Sequence, residues 1–159
     1  MIDVTDNLKG SNEAQMQIKR LYVKKSVFVA PNVPHVFKMT DWKPDIEVTI
    51  DADSSHLGNN AYEVILPATV IAKSADTVIY RVDVIQAGIF ELTNFPQEQL
   101  EYALGAYCPT VLFPYSRQIV SEAIINGGFP VMHLAPINFE VAYRQRLKSK
   151  PKEETEKTH

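Results

Sequence analysis

The side chains that could do chemistry are few and scattered. The one cysteine, Cys108, stands beside Pro109 in an apolar run, with no base nearby to lower its pKa. It reads as a buried core thiol, not a nucleophile. His35 follows Pro34, and His133 lies between Met132 and Leu134. Lone histidines in such settings are hydrogen-bonded structural residues more often than metal ligands. Asp51 and Asp53 are spaced like a metal-binding pair, but acidic alternation is common at strand ends. Arg117, Arg144 and Arg146 fall on expected helices and read as solvated or ion-paired. The sequence has no glycine-rich phosphate loop, no Gly-x-Ser-x-Gly, no His-Glu-x-x-His and no calcium loop. The reading is not an enzyme, with no cofactor and no metal.

Charge and hydropathy narrow the class further. The 159 residues are 45% hydrophobic, with a net charge of −3. That apolar content supports a single globular domain with a real core. No basic excess points to nucleic acid. One cysteine excludes an internal disulfide framework. The first 15 residues are too polar for a signal peptide, and no apolar run approaches the roughly 18 residues of a membrane span. A cytoplasmic location without membrane insertion is expected. The acids are densest from Asp41 to Glu63, opposed only by Lys43, which makes either a solvated face or a docking face for a basic partner.

The elements follow from pattern. Residues 1–14 read as a flexible segment, 15–148 as one domain and 149–159 as a disordered tail, since the tail has no apolar residue to offset its ordering entropy. Gln15–Val29 reads as a long strand whose apolar residues change phase. Either both faces are covered or a bulge shifts the register. A long irregular stretch with Pro31, Pro34 and Pro44 follows; loops of that length tend to be functional. Ile46, Val48 and Ile50 alternate with polar residues, as in a half-buried strand. Residues 61–73 and 77–92 are two more strands. Pro67 marks its strand as an edge or a bulge at that point. The expected sheet is a four-stranded antiparallel Greek key. A long helix interrupted by Pro109 and Pro114 comes next and stops at Gly127-Gly128. A last helix starts at Phe139, capped by Asn138. Strands first and helices afterwards define an α+β fold.

One stretch of that long helix, 104–115, carries no charge. A helix apolar all round is buried all round. The sheet covers one side, so a second copy of the chain is expected on the other, with Tyr107, Val111, Leu112 and Tyr115 at the interface.

Several segments together resemble the SecB family of bacterial protein-export chaperones: Ala-Pro-Asn-Val-Pro-His-Val-Phe ending at Phe37, Asp41-Trp42-Lys43-Pro44, Tyr62-Glu63-Val64, Gly88-Ile89-Phe90, the run from Leu104 to Arg117, and the run from Phe129 to Phe139. Their order and spacing cover about residues 16–147. The resemblance implies a homotetramer built as a dimer of dimers. It implies an ATP-independent holdase that binds unfolded preproteins and delivers them to the export motor SecA. It places client binding on Trp42, on Ile46, Val48 and Ile50, and on Phe139, Tyr143 and Leu147. It places SecA docking at Asp83, Arg81, Lys25 and Val29. Here the sequence departs from the family. Lys25 and Val29 stand where carboxylates are expected, and Arg81 replaces an apolar residue. Arg144 and Arg146 make the last helix less apolar. The altered docking acids keep open a second reading, a SecB-like chaperone dedicated to another client such as an antitoxin.

Overall fold

A computed structural model describes residues 13–41 and 43–149. Trp42, the first dozen residues and the tail after residue 149 lie outside the described residues.

The first strand, β1 (Gln15–Val29), pairs antiparallel with β5 (Thr77–Thr93). Its change of hydrophobic phase has a direct cause. Register shifts fall between Ile18 and Arg20 and between Val23 and Lys25. Each inserts one residue and turns the following side chains to the other face. β4 (Ala61–Ser74) pairs with β5 along its whole length. The other side of β4 is shared by two short strands, β2 (Asp45–Ile50) and β3 (Asp53–Gly58). The sheet therefore has five strands in four rows, ordered β1, β5, β4 and then β2 with β3. The expectation of four strands is corrected by β3, whose sequence Asp-Ser-Ser-His-Leu-Gly lacks the usual strand residues. It is held by backbone pairing to 61–65 instead. The long connection from β1 to β2 gives the Greek-key order.

Pro67 sits where the edge row breaks. Ile50 pairs with Ala68 and Asp53 with Ile65, so the gap falls opposite Pro67. Its carbonyl accepts a hydrogen bond from the Asp51 N–H at 3.0 Å. In an antiparallel ladder both polar groups of a residue point to one side. The missing proline donor thus faces the gap, where the ladder asks for none.

Helices cover one face of the sheet. α1 (Gln97–Tyr102) runs through a π-helical segment, Ala103–Tyr107, into α2 (Cys108–Asn126). Wider π turns accommodate an inserted residue; here the segment lies just before Pro109. α2 stops at Gly127, followed by Gly128 at φ +87°. Val64, Leu66, Ala68, Val70 and Ala72 of β4 and Tyr80, Val82 and Val84 of β5 form the core against Leu112, Val120 and Ile124 of α2. α3 (Phe139–Ser149) closes the chain. Among the described residues no helix is long and apolar enough to cross a membrane.

Candidate functional site

The edge strand β2 carries the most informative surface. Ile46 pairs with Ala72, Val48 with Val70 and Ile50 with Ala68. Those three partners are buried on the helix side of the sheet. Directly opposed residues share a face, so the three aliphatic side chains of β2 point to the helix side too. Yet Ile46 is 40% exposed and Val48 46%. The strand is not half-buried, as its alternation suggests: only Ile50 is partly covered. α2 lies over β4 and β5, one row further in, and leaves the edge open.

The crossover loop extends this apolar surface. Val36 is buried and anchors the loop. Phe37 is 52% exposed, and its ring lies 5.2 Å from Phe129, which in turn sits 5.0 Å from Tyr80. Val33 and Met39 are also exposed. Sequence reasoning singled out Trp42 on this loop, which lies outside the described residues, and passed over Phe37 and Met39. The signal available was two large apolar side chains in a proline-rich stretch that shows no regular strand or helix pattern.

The last helix contributes unequally. The Val141 N–H donates to Asn138 Oδ1 at 3.1 Å, closing the expected cap. Phe139 is a core residue, buried against the edge of Phe113 with ring centroids 5.8 Å apart. The Tyr143 ring packs against Gly105: a Cβ at that glycine would fall 2.5 Å from it. Only a residue without a side chain permits this approach. Leu147 and Val141 are exposed. The helix packs on the π-helical segment, whereas β2 lies along residues 68–73. A cleft of about 510 Å³, lined by Tyr102, Tyr107, Thr110, Ile137 and Glu140 among others, runs between α3 and the helix below it.

The open face of the sheet holds the expected docking residues together. Val29 pairs with Arg81 and Val27 with Asp83. The Arg81 guanidinium donates to Asp83 at 2.8 Å, and the Thr69 hydroxyl donates to the same carboxylate at 2.8 Å. The Arg81 hydrogen bond, helped by that of Thr69, holds the Asp83 carboxyl below its usual range. Nearby, Tyr22 donates its hydroxyl to Glu63, which also pairs with Lys24 at 3.1 Å. Burial, reinforced by that carboxylate, pushes the Tyr22 phenol up to about 12, while the Tyr22 hydrogen bond pulls Glu63 down.

Of the four residues expected between copies, Tyr107 and Tyr115 are about half exposed and Val111 partly so. Leu112 is not at a surface at all. It is fully buried within the chain, against Gly88 and Leu21. The uncharged stretch therefore has one side sealed by its own sheet and an aromatic side that is open. Cys108 is buried, and desolvation pushes its thiol up to about 12. His133 Nδ1 lies 3.1 Å from the Ser121 hydroxyl, which donates to the Met132 carbonyl. Asp51 and Asp53 join no cluster of three or more metal-ligating side chains among the described residues.

A Greek-key antiparallel sheet with helices on one face and an uncovered aliphatic edge strand defines an α+β fold with an open apolar surface. The family described as Preprotein translocase subunit SecB matches residues 9–150. The chain belongs to the SecB family of chaperones. Its fold is similar to that of a SecB-like chaperone from Mycobacterium tuberculosis, solved in complex with a peptide from an antitoxin. The TM-score is 0.58 at 17% identity, covering 77% of this chain and 90% of that one. A protein of unknown function from Streptococcus agalactiae aligns over 78% of this chain and 99% of its own, with TM-score 0.41 and 11% identity.

Proposed function

We propose that the chain is an ATP-independent holdase of the cytoplasm, which binds unfolded preproteins and hands them to SecA. It acts by binding and not by catalysis. The observation that carries this reading is the uncovered edge of β2, with Ile46 and Val48 exposed on the helix side of the sheet and Phe37 and Met39 exposed on the crossover loop. An unfolded segment offers backbone groups and scattered apolar side chains. A bare strand edge offers the first a ladder, and an exposed apolar strip offers the second a dry surface. On this reading Ile50 belongs to that strip, and Tyr143 and Leu147 of α3 give the client a second contact, with Phe139 supporting α3 from the core; Trp42, expected to join them, lies outside the described residues. The protein is expected to suppress aggregation of a slowly refolding polypeptide without nucleotide, and to ignore the same polypeptide once folded. Light scattering from the refolding client decides; protection that requires ATP would overturn the reading.

The working form is taken to be a homotetramer, a dimer of dimers. Tyr107, Val111 and Tyr115 lie on the open side of the uncharged helix, where a second copy would cover them. Size exclusion with light scattering should give four times the 17.9 kDa chain mass at micromolar concentration. A compact monomer would remove the tetramer from the proposal.

SecA coupling is expected to be weak, and one observation favours that. Asp83, the retained acid, is held by Arg81 and Thr69, and Val29 opposite Arg81 has no charge. A basic partner meets little free negative field here. The same observation supports the second reading, a chaperone dedicated to one client such as an antitoxin. Lys25→Asp combined with Val29→Glu should strengthen binding of the basic SecA tail by at least about tenfold, or roughly 1.4 kcal/mol. Isothermal titration at low salt checks this. Tight binding by the unaltered chain, with no gain in the variant, would mean that other residues dock SecA.

A further inference from the structure

The two bulges of β1 have an effect on charge. Lys19 falls in the first register shift and Lys24 in the second. Lys19 reaches Glu91 at 3.4 Å and Lys24 reaches Glu63 at 3.1 Å. Arg20 is opposite Ile89 and Lys25 opposite Ile85, on the same open face as Arg81 and Asp83. Each bulge therefore delivers two adjacent bases to one face, where an unbroken strand would send them to opposite faces. All four side chains are exposed. The carboxylates beside them on β4 and β5, Glu63, Asp83 and Glu91, are each ion-paired already. Among the described residues Arg20 and Lys25 have no carboxylate at ion-pair distance. The excess along β1 is positive. Val27 and Val29 continue the strip with exposed apolar side chains.

We propose that the open face of β1 and β5 is a docking surface for an extended acidic segment of a partner protein, read by the doublets Lys19-Arg20 and Lys24-Lys25 and by Val27 and Val29. The doublets start five residues apart, but the second bulge takes up one of them: Arg20 and Lys25 face Ile89 and Ile85, four positions apart on β5, or about 13 Å at about 3.3 Å per residue. A matching segment carries two acidic pairs at that spacing, with an aliphatic residue beyond one of them. A peptide fits better than nucleic acid for two reasons. Glu63, held by Tyr22 between the doublets, and Glu91 and Asp83 just beyond their two ends repel an evenly charged polyanion. At the far edge of the same face, Glu47 opposite Ile71 and Asp53 opposite Ile65 turn the potential negative, so the footprint runs along β1 and not across the sheet.

The test is fluorescence anisotropy with the full chain and three labelled probes: a twelve-residue peptide with two Glu-Glu pairs four positions apart and a terminal valine pair, the same peptide with Lys for Glu, and a single-stranded oligonucleotide of twelve mixed bases. The acidic peptide should bind at least about tenfold tighter than the basic one at about 0.05 M salt, and weaken as salt rises to about 0.3 M. Arg20→Glu with Lys25→Glu should reverse that preference. Arg20→Gln with Lys25→Gln, which adds no repulsion, should reduce it severalfold and serves if the first variant loses its circular dichroism spectrum. Ile46→Ser on the other side of the sheet should leave acidic-peptide binding unchanged. Absence of acidic-peptide binding, equal affinity for both peptides, tighter binding of the oligonucleotide, or indifference to the Gln variant would each overturn the proposal.

Discussion

Leu112→Asp should abolish the fold of the single chain. Leu112 is wholly buried on the sheet side of α2, packed over Gly88 of β5. The substitution removes a core leucine, which costs about 2–5 kcal/mol, and leaves a carboxylate without a partner, which costs several kcal/mol more even if it takes a proton. Domain stability is about 5–15 kcal/mol. The sum removes most or all of that, and far-ultraviolet circular dichroism should show no cooperative melt. Tyr115→Asp gives the contrast. Its side chain is 45% exposed, so a single folded chain tolerates the charge. If Tyr115 faces another copy, this variant should instead fall from tetramer to a smaller folded species in light scattering. A folded, cooperatively melting Leu112→Asp chain would show that the core against α2 is misplaced.

The contrast also shows what the sequence could tell. An uncharged stretch announces burial but not what buries it. Tyr107, Leu112 and Tyr115 look alike as types, and only the helix phase against β5 separates the sealed side from the open one. Strand β1 was legible with its phase change, and the choice between two covered faces and a bulge needed the register. β3 was hidden because backbone pairing holds it, not side-chain pattern. The alternation of β2 was legible and its meaning was not: period two says which side chains share a face, and nothing about whether a helix covers that face. Asp83 and Arg81 were visible as neighbours on one strand face, but the added grip of Thr69 comes from β4, fourteen residues earlier in the chain. Phe139 follows the same rule. It has the apolar character of a contact residue, and its burial against Phe113 depends on where α3 lands.

Ile46→Asp with Val48→Asp should eliminate client protection while the chain stays folded. The strand is held by six backbone-paired positions on β4, and these two side chains are already 40% and 46% exposed. Little native packing is lost, so the melting temperature should move by only a few degrees, equivalent to about 1 kcal/mol for a domain of this size. Binding is another matter. Fully covering an aliphatic side chain contributes about 1.5–3 kcal/mol, and somewhat under half of each remains to be covered by a client. The two together account for about 2 kcal/mol, or roughly thirtyfold in affinity. Aspartate does worse than remove this contribution, because a client segment lying on the strip must then desolvate two carboxylates. Thr49→Asp is the control. It lies on the same strand, also exposed, but faces the open side of the sheet with Glu47. It adds a charge of the same sign one residue from Val48 and three from Ile46. Client light scattering should be unprotected with the double variant and fully protected with the control. Equal protection by both would move the client strip off β2, and loss in both would make the effect one of net charge and not of a covered apolar face.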